Sequence, residues 1–247
     1  MSALMSVHNL SKRFGGIVAV DGVSFEVNRG EILGIIGPNG SGKSTLFNCI
    51  LGQLKPTAGE VRLDGRAVTG MRACDLSRLG LARTFQLLQL FPQLTVRDNL
   101  ILAGQEHRGT LWSRLVGRPD AGLADTAAEM LSFFRLDGLA DQTAGTLGYG
   151  QQKLLDAAMA FMARPRLVLL DEPAAGVDPS VLADLRERLR AINVQAGATF
   201  AIIEHDMEFV MSLCTRILVL AEGRVIAAGD PDTVRRDAGV IEAYLGR

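Results

Sequence analysis

With 247 residues, 48% of them hydrophobic, the chain holds enough apolar material for one large domain or two small ones. Its net charge of −1 and pI near 6.3 argue against a nucleic-acid binder that works through a broad basic surface. Cys49, Cys74 and Cys214 lack C-x-x-C spacing, so neither a disulfide framework nor a zinc site is expected, and each reads as an apolar packing residue in a reducing compartment.

The N-terminus, MSALMSVHNL, has no basic start followed by an apolar block, and no later run approaches the roughly 18 to 20 apolar residues needed to cross a bilayer. The expectation is a cytoplasmic protein that reaches a membrane only by binding another protein. Val23, Phe25 and Val27 alternate with polar residues and predict a strand. The apolar run Ile32–Ile36 predicts a buried strand, and GPNGSGKS, Gly37 to Ser44, follows it directly. That octapeptide fits G-x-x-x-x-G-K-[ST], the phosphate-binding loop that opens a helix, here Lys43 to Leu51. Gly37, Gly40 and Gly42 let the backbone approach a polyphosphate. The helix end supplies N–H donors and dipole, Lys43 reaches the β- and γ-phosphates, and the Ser44 hydroxyl suits Mg2+. Val61 and Leu63 precede a turn at Asp64-Gly65, so a mixed sheet is expected around the loop.

From about Leu87 to Leu147 the β-rich runs stop, and the spacing of Ala127, Met130, Leu131 and Phe134 predicts a helical insertion. Gly104 to Gly122, with Arg108, Trp112, Arg114, Arg118 and Pro119, reads as an exposed loop or short irregular helices. An α/β rhythm then returns: helix Gln151 to Ala163, strand Leu167 to Leu170, helix Ser180 to Gln195, strand Thr199 to Ile203, and a hairpin turning at Glu222-Gly223.

Asp171-Glu172 emerges directly from the apolar strand at 167–170. Beside a P-loop, Asp171 is expected to hold the Mg2+ shell and Glu172 to polarise the attacking water; alone, the pair reads equally well as strand-end charges. His205, in Glu204-His205-Asp206 after the strand at 199–203, is placed to touch a γ-phosphate, or else is a solvated or packing histidine. His8 and His107 have no comparable setting.

Leu147-Gly148-Tyr149-Gly150-Gln151, just ahead of the helix leading to the carboxylate strand, resembles the LSGGQ signature of ABC ATPases. With the P-loop, Gln86 after the strand Leu81 to Phe85, the pair Asp171-Glu172, the turn Ala175 to Asp178 and His205, the ordered motif set of that family spans essentially the whole chain. The resemblance implies an α/β P-loop nucleotide-binding domain with a mixed sheet core and an inserted helical subdomain. It makes 1–247 a single ATPase domain, with core 1–86 and 150–247 and subdomain about 87–149. It implies ATP and Mg2+ held by Gly37, Pro38, Asn39, Gly40, Ser41, Gly42, Lys43, Ser44 and Thr45, with Ser44, Gln86 and Asp171 at the metal and Phe14 stacked on adenine, or else simply a core or surface phenylalanine. Two such domains pair head to tail, so that the signature of one completes the P-loop site of the other. Gln86 links the γ-phosphate and metal to the subdomain that docks on a membrane partner, and Asp178 couples the two sites, or simply caps the helix that follows. Gly148 stands where the consensus has serine and Tyr149 where it has glycine, so a weakened site is expected.

About a hundred residues between P-loop and signature leave no room for the coiled coil of a chromosome-maintenance ATPase. DEPAAGVDP, IIEHDM, LGYGQQK and the ending IEAYLGR are similar to the ATPases of branched-chain or hydrophobic amino acid importers, and nothing after that ending is expected to form a regulatory domain. That resemblance implies a second ATPase subunit, integral permease subunits and, indirectly, an extracytoplasmic solute-binding protein, with the chain peripheral on the inner face of the cell membrane and no nucleic acid partner. Related systems for urea, aromatic acids or lipopolysaccharide export stay open, as does a non-transport regulatory module.

Overall fold

A computed structural model describes residues 3–84, 90–105 and 121–245; Gln86 and 106–120 of the expected loop lie outside them. The first strands, β1 (Ala3–Phe14) and β2 (Ile17–Asn28), form a long antiparallel hairpin whose buried positions alternate from Val23 to Val27. Strand β3 (Ile32–Ile36) leads to helix α1 (Lys43–Ile50), one residue short of the expected helix. Strands β4 (Ala58–Leu63) and β5 (Arg66–Ala67) flank the Asp64-Gly65 turn, where both residues have positive φ as a two-residue hairpin loop requires. Helix α2 (Ala73–Arg78) and strand β6 (Leu81–Arg83) follow.

The next described elements are helical: α3 (Val96–Gly104), α4 (Ala121–Phe133), two 3₁₀ turns, and α5 (Tyr149–Phe161). Thr95 starts α3 by accepting from the Asp98 N–H. The rest runs β7 (Leu167–Asp171), α6 (Pro179–Ala196), β8 (Thr199–Ile203), α7 (Met207–Leu213), β9 (Arg216–Ala221), β10 (Arg224–Gly229), α8 (Pro231–Arg236) and α9 (Ala238–Leu245). Asp-Pro opens both α6 and α8, the aspartate capping and the proline occupying the first turn. Gly197, at φ 63, ends α6.

Around the loop the strands divide into two sheets. The antiparallel one is ordered β2-β1-β4-β5, and the other β10-β9-β3-β8-β7-β6, parallel except for β10. Every residue of β3, β7 and β8 is buried, because this sheet is covered on both faces. Leu33, Ile35, Leu169 and Ile203 pack toward α1 and the antiparallel sheet, while Ile32, Ile36, Leu170 and Ile202 pack toward α5, α6 and α7. The strands carrying the chemical motifs are therefore central and fully fixed. The cysteines divide too: Cys49 and Cys214 are buried as expected, but Cys74 is exposed, since α2 turns it away from the one buried residue of that short helix, Leu76.

Candidate nucleotide site

Strand β3 lies between β8 and β9, and β7 is the next strand beyond β8, all parallel, so the loops after β3, β7 and β8 leave the sheet at one edge. That carboxyl edge is where open α/β sheets bind ligands. The backbone needs its glycines there. A Cβ on Gly37 would meet Leu220 O at 2.1 Å, and one on Gly42, at φ +100, would meet Ala19 O at 2.2 Å. The floor of the loop is thus the β9–β10 hairpin, whose Gly223 N–H donates to Ser41 O at 3.1 Å, together with β2. Sequence reading could not anticipate this floor, since its contacts are through backbone atoms.

Lys43 is buried under the loop and donates to Gly37 O at 2.7 Å and Pro38 O at 3.0 Å. Burial pushes its ammonium below the ordinary lysine range, opposed by the charges of Glu172 and Asp171. Pro38 is half-buried, and Asn39, Gly40 and Ser44 are exposed beside half-buried Gly42 and Thr45. The Ser41 hydroxyl is buried and has no hydrogen-bond partner among the described residues. A glycine-lined cradle, a lysine and a helix N-terminus fit a polyphosphate.

Asp171 ends β7 and is buried, with Arg83 Nη2 donating to its Oδ2 at 2.6 Å. The same guanidinium reaches Asn48 Oδ1 at 3.0 Å and Gln53 Oε1 at 2.7 Å, tying β6 to the end of α1. Arg83 belongs to none of the motifs named above. One strand-end carboxylate plus the Ser44 hydroxyl is the sparse oxygen set that Mg2+ takes together with phosphate oxygens. Glu172 has φ 50, a left-handed conformation that costs a non-glycine residue about 1–2 kcal/mol, and its N–H donates to Ile203 O at 2.9 Å. His205 is exposed, its Nδ1 4.0 Å from Glu172 Oε2 and 3.7 Å from Glu204 Oε2, too far for either to be a hydrogen bond.

Phe14 sits 45% exposed at the β1–β2 turn, with Lys12 Nζ 5.0 Å over its ring. The signature residues open α5, where they had been expected just ahead of a helix. Leu147 is buried, Gly148 is the N-cap residue and its N–H donates to Gln151 Oε1 at 3.2 Å, and Tyr149, Gly150 and Gln151 form the first turn. Gly150 permits close packing, since a Cβ there would meet Val181 at 2.9 Å. Tyr149 lies beside the loop after Glu172, its hydroxyl donating weakly to Ala175 O at 3.4 Å. Asp178 accepts from the Ser180 N–H and hydroxyl at 3.0 and 2.7 Å, so within this chain it caps α6, and those bonds lower its carboxyl's proton affinity.

A two-sided parallel sheet with a P-loop, strand-end carboxylates and a histidine on one edge defines a P-loop nucleotide-binding domain. Residues 20–175 match the family described as ABC transporter, and residues 224–247 match the branched-chain amino acid ATP-binding cassette transporter family. The chain belongs to the ABC transporter family. It is 39% identical, over 98% of both chains, to the high-affinity branched-chain amino acid transport ATP-binding protein BraF of Pseudomonas aeruginosa, and equally to LivG of Escherichia coli. A solved ADP conformation of an ATP-binding cassette of an ABC transporter superposes with TM-score 0.89 at 34% identity, covering all of both chains. A dimeric cassette bound to ADP and Pi matches at TM-score 0.78 and 27% identity, covering 92% of this chain and 98% of that one.

Proposed function

We propose that this chain is the ATP-hydrolysing subunit that powers an importer of branched-chain or other hydrophobic amino acids. The observation that carries the reading is the convergence of Lys43, Asp171, Glu172 and His205 on one sheet edge of a chain similar, end to end, to branched-chain amino acid transport ATP-binding proteins.

In this reading the loop from Gly37 to Thr45 cradles the phosphates of ATP, Lys43 turns its ammonium to the β- and γ-oxygens, and Phe14 stacks on adenine. Glu172 accepts a proton from the attacking water, and His205 holds that water and the γ-phosphate. Ser44, Asp171 and Gln86 would hold Mg2+, which when bound neutralises phosphate charge. Leu147 to Gln151 serve the nucleotide of a second ATPase subunit across a head-to-tail pair, with Asp178 near the junction. The division into a core of 1–86 and 150–247 and a helical subdomain of about 87–149 belongs to the same proposal.

Among the described residues no helix is long and apolar enough to cross a membrane, and the proposed attachment is to permease subunits. A cavity of about 810 Å³ between α2, α3 and α5, lined by Cys74, Arg78, Phe91, Leu102 and Met159, suits such a docking segment, and Phe91 is 51% exposed beside it. Glu172→Gln tests the chemistry: ATP binding stays intact and turnover is abolished, whereas full turnover would sink the mechanism. Isolating the native membrane complex tests the rest. An amino acid permease with a second ATPase is the expected outcome; an export permease would overturn the import assignment.

A further inference from the structure

Glu204 is the last residue before His205, and it is fully buried at 0% exposure. Its carboxylate accepts three backbone N–H groups. Oε1 takes that of Ala174 at 2.5 Å, and Oε2 takes those of His205 at 2.8 Å and Asp206 at 3.2 Å. Ala174 lies two residues beyond Glu172, so one side chain binds the loop that follows the expected base and the turn that carries the expected γ-phosphate contact. Helix capping does not require this arrangement, because Asp206 already caps α7 by accepting from the Phe209 N–H at 2.9 Å. Burial of a carboxylate is costly and pushes its protonation upward, while the three N–H donors oppose that shift. A residue with no acceptor would leave the buried Ala174 donor and the part-buried donors of His205 and Asp206, on two different loops, without their partner.

We propose that Glu204 is a positioning residue for ATP hydrolysis, a buried bracket that fixes the loop after Glu172 and the His205 turn as one unit. The proposal rests on the roles given above to Glu172 and His205. The three N–H groups that Glu204 accepts belong to Ala174, His205 and Asp206, outside the P-loop, so the bracket acts on the reacting geometry and not on nucleotide affinity.

Glu204→Gln in the full-length chain is the test. The amide has one acceptor oxygen, and its NH2 faces either the Ala174 donor or the His205 and Asp206 pair. Turnover should fall about tenfold or more, since small misplacement of reacting groups has effects of that order, while the Kd for ATP stays within about twofold. Amide hydrogen exchange should quicken at 174 or at 205–206 and stay unchanged elsewhere. If the amide variant does not fold, Glu204→Asp, which keeps the charge and withdraws the oxygens by one methylene, is read by the same three measurements. Wild-type turnover in a folded variant, or a loss of ATP affinity equal to the loss of turnover, would overturn the bracket. Glu172→Gln and His205→Ala are measured alongside. If those two retain turnover the reading of the site fails; if they abolish it and the Glu204 variants keep wild-type turnover, only the bracket fails.

Discussion

Arg83 Nη2 donates to Asp171 Oδ2 at 2.6 Å, with side chains only 11% and 4% exposed, so the carboxylate at the end of β7 is held by a cation from the neighbouring strand β6. Removing one partner of so buried a pair leaves the other charge without compensation, typically at about 3–5 kcal/mol. Arg83→Ala is therefore expected to lower unfolding free energy by about 3 kcal/mol, measured by urea denaturation. Arg83→Lys should recover only part of it, because a point ammonium cannot reach Asp171, Asn48 and Gln53 together. Wild-type stability in Arg83→Ala would show that the pair contributes nothing.

Lys43 carries an expectation with a definite sign. Burial lowers its pKa from the ordinary 10.5, so the folded state holds its proton less tightly than the unfolded chain. Between the depressed value and 10.5 the unfolded state binds more protons, and stability rises with pH across that window. Relative to Lys43→Met, the wild type should become more stable as pH climbs from 7 toward 10. The substitution should also weaken ATP binding roughly 10- to 100-fold through the loss of charge-assisted hydrogen bonds. Parallel stability curves for the two proteins across that pH range would contradict the burial effect.

What could be read from sequence was what is local. The P-loop, the carboxylate strand and its companion β8 declare themselves by apolar runs ending in charged or glycine-rich turns, and Asp178 with Pro179 marks a helix start within two residues. The middle of the chain was less legible in detail. The helix at the signature begins at Tyr149, two residues earlier than its apolar spacing indicated, because Gly148 and Gln151 close the first turn through a side-chain bond. The C-terminal helices α8 and α9 were not read at all, being short and weakly patterned. Arg83 and Glu204 were invisible as functional residues because the contacts that matter, Arg83 with Asp171 and Glu204 with Ala174, span 88 and 30 positions. Charge and residue type do not disclose such pairing; only the strand order does.

Cys74 gives the simplest check on the described packing. It alone of the three cysteines is exposed, while burial pushes the Cys214 thiol up to about 12 and raises that of Cys49. A thiol reagent at neutral pH should modify one equivalent in the native protein, abolished by Cys74→Ser, and three after unfolding. Rapid modification of a second thiol in the native state would contradict the burial of α1 or of Cys214.

The glycines of the loop should separate by what surrounds them. Gly40, at φ +81, has open space where a Cβ would go, so Gly40→Ala bears only the conformational strain, about 1–2 kcal/mol. Gly42→Ala adds a contact of 2.2 Å with the Ala19 carbonyl and must displace either β2 or the start of α1. Its stability loss should exceed that of Gly40→Ala, and its ATP affinity should fall with the loop's geometry. Calorimetric melting and nucleotide titration of the two variants decide this, and equal effects would mean that the close approach at Gly42 yields easily.

Gly148 tests whether the altered signature limits activity. A Cβ at this position would meet only Gln151 Oε1, at 3.8 Å, so a serine fits without moving the helix start. Serine is a better N-cap than glycine by a few tenths of a kcal/mol, so the fold should be unharmed. In the proposed head-to-tail pairing the added hydroxyl would offer a neutral donor to a charged phosphate bound by the second subunit, worth about 1.5–3 kcal/mol at most. Gly148→Ser is thus expected to raise ATPase activity or ATP-driven dimerisation, the second read by analytical ultracentrifugation with a Glu172→Gln background to hold the nucleotide. Tyr149, whose hydroxyl donates to Ala175 O at 3.4 Å, is unchanged in this variant, so a gain is assigned to the added hydroxyl. Unchanged activity together with unchanged dimerisation would mean that the backbone donors of the α5 N-terminus already supply what the opposing phosphate requires.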